Sequence, residues 1–205
     1  KLKNIGINSK SLDSELIRNI LEKEQDQNVI KSLIQNPNCP IDIISKVINK
    51  EKIFNLEFEY DFEFEEIGQI ACFNIIMTNQ YDKLDYETKK SFKKLIENLI
   101  SEEPDIFVED FYSYVKEDER KNKRVYNVFV DFPFENINYV GKQFILKDKY
   151  FPNIMLNTFF EKIIPESSTY QDEYSKHDIM MIYNDVINHE NLPVKMYKRI
   201  YDITL

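Results

Sequence analysis

Acidic side chains are the most densely grouped chemistry-bearing residues in this sequence. From Ile53 to Asp82 there is no Lys, Arg or His, and the first part of that stretch alternates: Phe54, Leu56, Phe58, Tyr60, Phe62 and Phe64 against Glu57, Glu59, Asp61, Glu63 and Glu65. A second stretch without basic residues, Leu95 to Val115, holds Glu97, Glu102, Glu103, Asp105, Glu109 and Asp110. Period two is the signature of a β-strand, which would send the large rings into a core and leave a row of carboxylates about 7 Å apart. Such a ladder repels itself unless cations or a basic partner lie across it; the same pattern also serves a half-buried edge strand whose charges prevent aggregation. If both stretches face one way, the surface imitates a phosphate backbone and fits a nucleic-acid-binding cleft.

Other catalytic constellations are thin. The three glycines, Gly6, Gly68 and Gly141, are isolated, so neither a phosphate-cradling loop nor a dinucleotide turn can be assembled. His177 and His189 are the only histidines and lack zinc-ligand spacing, and no nucleophile elbow is present. His189, beside Glu190 in a turn, reads as a surface or capping residue. Pro104-Asp105 followed by Glu119-Arg120-Lys121 has the letters of a metal-dependent nuclease, in which an Asp and a Glu hold magnesium and a Lys positions water. That chemistry needs the Glu and Lys on a strand leaving an apolar core. Here Lys116-Glu117-Asp118 precedes them and Asn122-Lys123-Arg124 follows, the pattern of a solvated helix end or loop. No calcium-loop spacing is present, and no feature calls for a cofactor or a metal.

The elements that must position these residues read as helices. The 205 residues are 42% hydrophobic and 14% aromatic, ample for a continuous core, and no domain boundary is evident, so one domain over 1–205 is expected. Apolar pairs at helical spacing occur over Leu12–Leu21, Val29–Ile34, Ile43–Ile48, Glu66–Asn79, Tyr86–Ser101, Asp105–Lys116, Phe151–Ile164, Lys176–Asn188 and Pro193–Ile203. The fold class predicted is mainly α, with stacked helical hairpins and a small β element around 53–64 and 125–146. Pro165 to Tyr174 reads as a polar surface loop. No run approaches the roughly 18 to 20 apolar residues that span a bilayer, and no signal peptide is visible at the start, so a soluble, cytoplasmic chain without membrane contact is expected. Cys39 and Cys72 lie far apart and read as buried thiols. A single alanine, Ala71, and lysine in excess over arginine are the residue usage of an AT-rich genome.

One internal comparison stands above composition. Val29 to Ile48 and Ile182 to Tyr201 align without gaps: Val29, Ile30, Leu33 and Ile34, an Asn38-Cys39-Pro40 turn, then Ile41, Ile43, Ile44, Val47 and Ile48, against Ile182, Tyr183, Val186 and Ile187, Asn191-Leu192-Pro193, then Val194, Met196, Tyr197, Ile200 and Tyr201. A weaker echo follows Phe151-Pro152. One hairpin cannot bury an apolar face on each helix, so stacked hairpins sharing a core are the natural solution. At Asn36 to Ile48 the chain resembles the variant leucine-rich repeat and, more loosely, HEAT-like repeats. The resemblance covers about 40 residues in two places and implies a scaffold of stacked helices that binds other macromolecules; it carries over no catalytic residue.

A net charge of −9 opposes docking on nucleic acid, which requires a surplus of Lys and Arg. The expectation is therefore a non-enzymatic protein that binds a basic surface of a protein partner, as an inhibitor, immunity protein or adaptor. Glu57, Glu59, Asp61, Glu63, Glu65, Glu102, Glu103, Asp105, Glu109 and Asp110 would form the contact. Two alternatives stay open: a structural subunit of a larger assembly such as a virion, whose aromatic surplus forms permanent interfaces, and a metal-dependent enzyme with a carboxylate site.

Overall fold

Asp13 and Asp26 start the first two helices by the same device. Asp13 accepts the Leu16 N–H at 2.7 Å and Asp26 the Asn28 N–H at 3.1 Å, satisfying backbone donors that have no partner inside a helix. They open α1 (Ser14–Leu21) and α2 (Gln27–Gln35). Pro37 and Pro40 stop α2 and admit α3 (Ile41–Ile48). In a computed structural model, which describes residues 12–51, 61–164, 173–189 and 192–204, the chain is mainly α, and its residues gather into two compact units. One is Lys1–Leu99 with Ser113–Glu119, the other Ile100–Tyr112 with Arg120–Leu205.

In the first unit, α4 (Asp61–Thr78) packs on both α2 and α3. Ile67, Ile70, Ala71, Cys72, Phe73, Ile75 and Ile76 are all buried, and a helix buried all round is a core helix. Its one buried amide, Asn74, has a structural purpose. The Asn74 Nδ2 donates to the Ile34 carbonyl at 2.8 Å, an acceptor stranded where Pro37 ends α2, and to the Asn36 carbonyl at 2.7 Å, which also accepts the Cys39 N–H at 2.9 Å. Asn36 Oδ1 meanwhile accepts the Asn38 N–H at 2.9 Å, which closes the turn. Arg18 forks onto both carboxylate oxygens of Asp42, at 2.7 and 2.8 Å, tying α1 to α3. Burial opposes ionisation of Asp42, but the Arg18 hydrogen bonds and charge outweigh it and hold its carboxyl below the usual range. Helix α5 (Tyr86–Glu102) starts on Asp85, which accepts from both the Thr88 N–H and the Thr88 hydroxyl.

The second unit is built around rings. Helix α6 (Pro104–Tyr114) turns Phe107, Val108 and Phe111 inward. A short α7 (Glu117–Arg120) leads to 3₁₀ turns at Lys123–Phe129 and Phe134–Asn136, then to α8 (Tyr139–Lys147), α9 (Asn153–Ile163), α10 (Glu173–Ile187) and α11 (Val194–Thr204). Phe129 stands 4.9 Å from Phe111, 5.6 Å from Phe107 and 5.4 Å from Phe151, largely edge to face; Phe134 meets Phe159 at 5.3 Å in the same manner. Each such pair contributes about 0.5–1.5 kcal/mol beyond its burial.

The expected β element is not formed among the described residues. Residues 125–146 make 3₁₀ turns and α8, because Val125, Tyr126 and Phe129 fall on one side of a tight turn and all three are buried there. Residues 61–64 belong to the first turns of α4, where the apolar helix beginning at Ile67 extends backward through the end of the alternating stretch. Residues 53–60 lie outside the described residues, as do 165–172 of the expected loop; Glu173 and Tyr174 open α10.

Candidate functional site

Helix α6 carries the acidic residues that the structure places best. Its buried residues Phe107, Val108 and Phe111 fix the inward side, so at 100° per residue Asp105, Ile106, Glu109, Asp110 and Ser113 fall on the outward arc. Glu102 at the end of α5, Glu103 in the joint and Glu109 are exposed, whereas Asp105 and Asp110 are half-buried. With no basic residue from Leu95 to Val115, nothing on this stretch of chain neutralises them locally. The arc is an anionic rim around one exposed apolar side chain, Ile106.

Asp105 has an internal role. Its Oδ1 accepts the Asn138 N–H at 2.6 Å, while Asn138 caps α8 by accepting the Gly141 N–H at 2.9 Å. This carboxylate therefore holds the start of α8 and contributes less to the outer surface than its sequence position suggests. Of the other expected contact residues, Asp61, Glu63 and Glu65 stand on the first turns of α4, their side chains outside what is described, and Glu57 and Glu59 lie outside the described residues. The acidic set is thus divided between the two units, and Glu102, Glu103 and Glu109 are its exposed described members.

The nuclease-like letters resolve into structural contacts. Glu119 and Arg120 lie on α7, and the Arg120 Nε reaches Asp148 Oδ2 at 3.2 Å, with only 16% of the Arg120 side chain and 2% of the Asp148 side chain exposed. Asp148 also accepts the Tyr126 hydroxyl at 2.6 Å and the Tyr150 N–H at 3.1 Å. The Arg120 guanidinium lies 5.0 Å from the ring centre of Tyr112. Burial, then the neighbouring Asp148 charge, pushes the Tyr112 hydroxyl well above its ordinary pKa. Burial and the hydrogen bond to Asp148 do the same for Tyr126. Asp148 is a buried anion that ties together Arg120, Tyr126 of the 3₁₀ turn and the backbone at Tyr150. Among the described residues, no group of three or more His, Cys, Asp or Glu side chains is arranged to hold a metal ion. The His189 ring packs edge-on against Phe160 at 5.6 Å, and its N–H closes the end of α10 on the Val186 carbonyl at 3.0 Å.

Two surfaces were not singled out by sequence reasoning. Lys90, Lys93 and Lys94 are exposed on α5 and lie on its outward side, a cationic face whose signal was the Lys-Lys-Ser-Phe-Lys-Lys run at 89–94. On α11, Val194, Tyr197 and Tyr201 are exposed; their helical spacing had marked them as interior. Among the described residues no helix is long and apolar enough to cross a membrane. The chain matches no protein-family model, no curated protein and no solved structure.

Proposed function

We propose that this chain is a non-enzymatic, protein-binding protein of the inhibitor or adaptor kind, and that the outward face of α6 receives a basic surface of its partner. The observation that carries this reading is the exposed set Glu102, Glu103 and Glu109 on a stretch of chain with no basic residue, beside the exposed Ile106. Charge of one sign around an apolar centre suits a contact that is steered by electrostatics and completed by burial. The net charge of −9 adds long-range attraction toward a cationic partner and repulsion from nucleic acid. The arrangement fits a partner whose own ligand is anionic, such as the nucleic-acid-binding cleft of a nuclease.

The test is capture of partners from lysate of the source organism by the whole chain, compared with a Glu102→Lys, Glu103→Lys, Glu109→Lys variant. A control variant reverses the exposed Glu15 and Glu22 of the α1 region. A basic protein that is released by salt, lost with the α6 reversal and retained by the control supports the reading. An unchanged set of captured proteins after the α6 reversal contradicts it.

A further inference from the structure

Helices α6 and α8 lie along one another in the second unit. Asp105 at the start of α6 accepts the Asn138 N–H that precedes α8, and two turns on the Tyr112 ring stacks on Phe144, with centroids 5.2 Å and planes 13° apart. Glu109 shares the helical row of Asp105 and Tyr112, so it stands on the α8 side of α6 between those two contacts, and it is exposed. On α8, Val140 and Phe144 are 50% and 38% exposed. They lie one turn apart, about 6 Å along the axis. At 100° per residue, Gly141, against which the Asp105 carboxylate lies, falls on one side of this pair, and Tyr139 and Gln143 fall on the other. Both of the latter donate to the Asp185 carboxylate of α10, the Tyr139 hydroxyl at 3.0 Å. Those partners are neutral, so the exposed Asp185 keeps its charge. The apolar pair is thus flanked by an acid on each side, and the exposed Lys147 on the next turn ends the stripe.

We infer that the outward face of α8 docks a basic amphipathic helix of the partner, one that carries two apolar side chains a turn apart with an Arg or Lys on each flank. The inference rests on the reading of α6 as a surface for a basic partner, and it extends that contact onto α8 with a defined apolar anchor. Val140 and Phe144 repeat at the spacing of one helical turn, which two anchors at i and i+4 of a second helix can cover. Cations on either flank of those anchors then meet Glu109 on one side and Asp185 on the other. The same two acids reject other occupants. Nucleic acid and an anionic lipid surface are repelled from both flanks. A second copy laid face to face would set Glu109 and Asp185 against their own counterparts, with Lys147 alone to offset them. Because Lys147 bounds the stripe, the apolar part of the occupant spans a single turn. The contact is therefore small, and charge supplies much of its attraction.

Fluorescence anisotropy of the full chain with a labelled, alanine-based peptide tests this. The peptide has about 18 residues, enough to populate a helix, with leucines at i and i+4 and arginines on both flanks. Its control has the same composition with the leucines on opposite faces. The parent is expected to bind the first peptide at least tenfold more tightly than the control at low salt. Val140→Ser removes that preference, with an unchanged circular dichroism spectrum showing that the fold persists. Glu109→Gln together with Asp185→Asn, which keeps an acceptor for Tyr139 and Gln143, weakens binding at low salt, and the difference from the parent closes at high salt. Lys147→Glu tightens binding, because it removes the one cation at the end of the stripe. Equal binding of the two peptides, a Val140→Ser chain that binds like the parent, or a Lys147→Glu chain that binds no more tightly overturns the proposal. An unchanged set of proteins captured from lysate after reversal of Glu102, Glu103 and Glu109 defeats the α6 reading, whereas a peptide bound without regard to its leucine register defeats this one alone.

Discussion

Asn74→Leu is the substitution that most sharply tests the account of the first unit. Leucine has nearly the shape of asparagine and suits an apolar helix, so apolar burial alone predicts a gain of about 1–2 kcal/mol. The structure predicts the reverse. Nδ2 of Asn74 donates to the carbonyls of Ile34 and Asn36, both in the buried turn where Pro37 prevents continuation of α2. Removing the donor orphans the Ile34 carbonyl, at about 1–3 kcal/mol, while the Asn36 carbonyl keeps the Cys39 N–H at 2.9 Å. Set against the gain from leucine burial, the net loss is about 1 kcal/mol. Asn74→Asp keeps the size and brings a negative charge against two carbonyl oxygens at neutral pH, so it costs more than leucine. Urea unfolding followed by far-ultraviolet circular dichroism measures both. A leucine variant within ~0.5 kcal/mol of the parent, or an aspartate variant more stable than the leucine one, refutes the reasoning, since measured single-site losses near zero mark positions without such a network.

Three further outcomes follow from buried groups. Asp148→Ala leaves Arg120 charged and mostly buried, with the Tyr126 hydroxyl also deprived of its acceptor; a loss of about 3–5 kcal/mol is expected in chemical denaturation, and a loss below ~1 kcal/mol would show that the pair contributes little. Tyr112 and Tyr126 have folded pKa values above their unfolded value, so their contribution is complete below the unfolded tyrosine pKa of about 10 and is lost as pH rises beyond it toward the folded values. Ultraviolet titration should therefore show a late tyrosine fraction that ionises together with unfolding, and smooth ionisation of every tyrosine near the ordinary value would contradict the burial. Burial, reinforced by the charge of Asp42, pushes the Cys39 thiol up to about 12, and burial alone pushes Cys72 higher still. Both should resist a thiol reagent at neutral pH until urea unfolds the chain; rapid labelling of the folded protein would overturn that assignment.

Much of the helical layout was legible because its signals are local. Asp13, Asp26 and Pro40 mark helix starts within a few residues of the apolar stripes they serve, and α5, α6 and α9 begin and end close to their predicted limits. The misreadings have a different origin. The Phe-Glu alternation through Phe62 and Phe64 carries a strand period, yet 61–64 join α4, which is anchored by the buried run from Ile67 and by the Lys31–Glu66 ion pair at 2.5 Å from α2. The β-forming residues of 125–134 serve ring packing around tight turns, a tertiary requirement that propensity does not report. At the candidate site, exposure of Glu102, Glu103 and Glu109 followed from the apolar positions beside them. The inward use of Asp105 depends on Asn138, and that of Arg120 on Asp148; both partners are remote in sequence, so no spacing rule reveals them. The stripe on α11 has the same spacing as the buried one on α3, and only the packing distinguishes them.

The most direct test of the central claim is the salt dependence of partner binding by the whole chain and by the Glu102→Lys, Glu103→Lys, Glu109→Lys variant, measured by surface plasmon resonance on the protein captured from lysate. The account predicts a Kd that rises steeply with salt for the parent and an association rate at least tenfold slower for the variant, because the reversed charges repel where the originals steer. Equal affinity and equal salt dependence in the two proteins would place the partner elsewhere and contradict the assignment of α6.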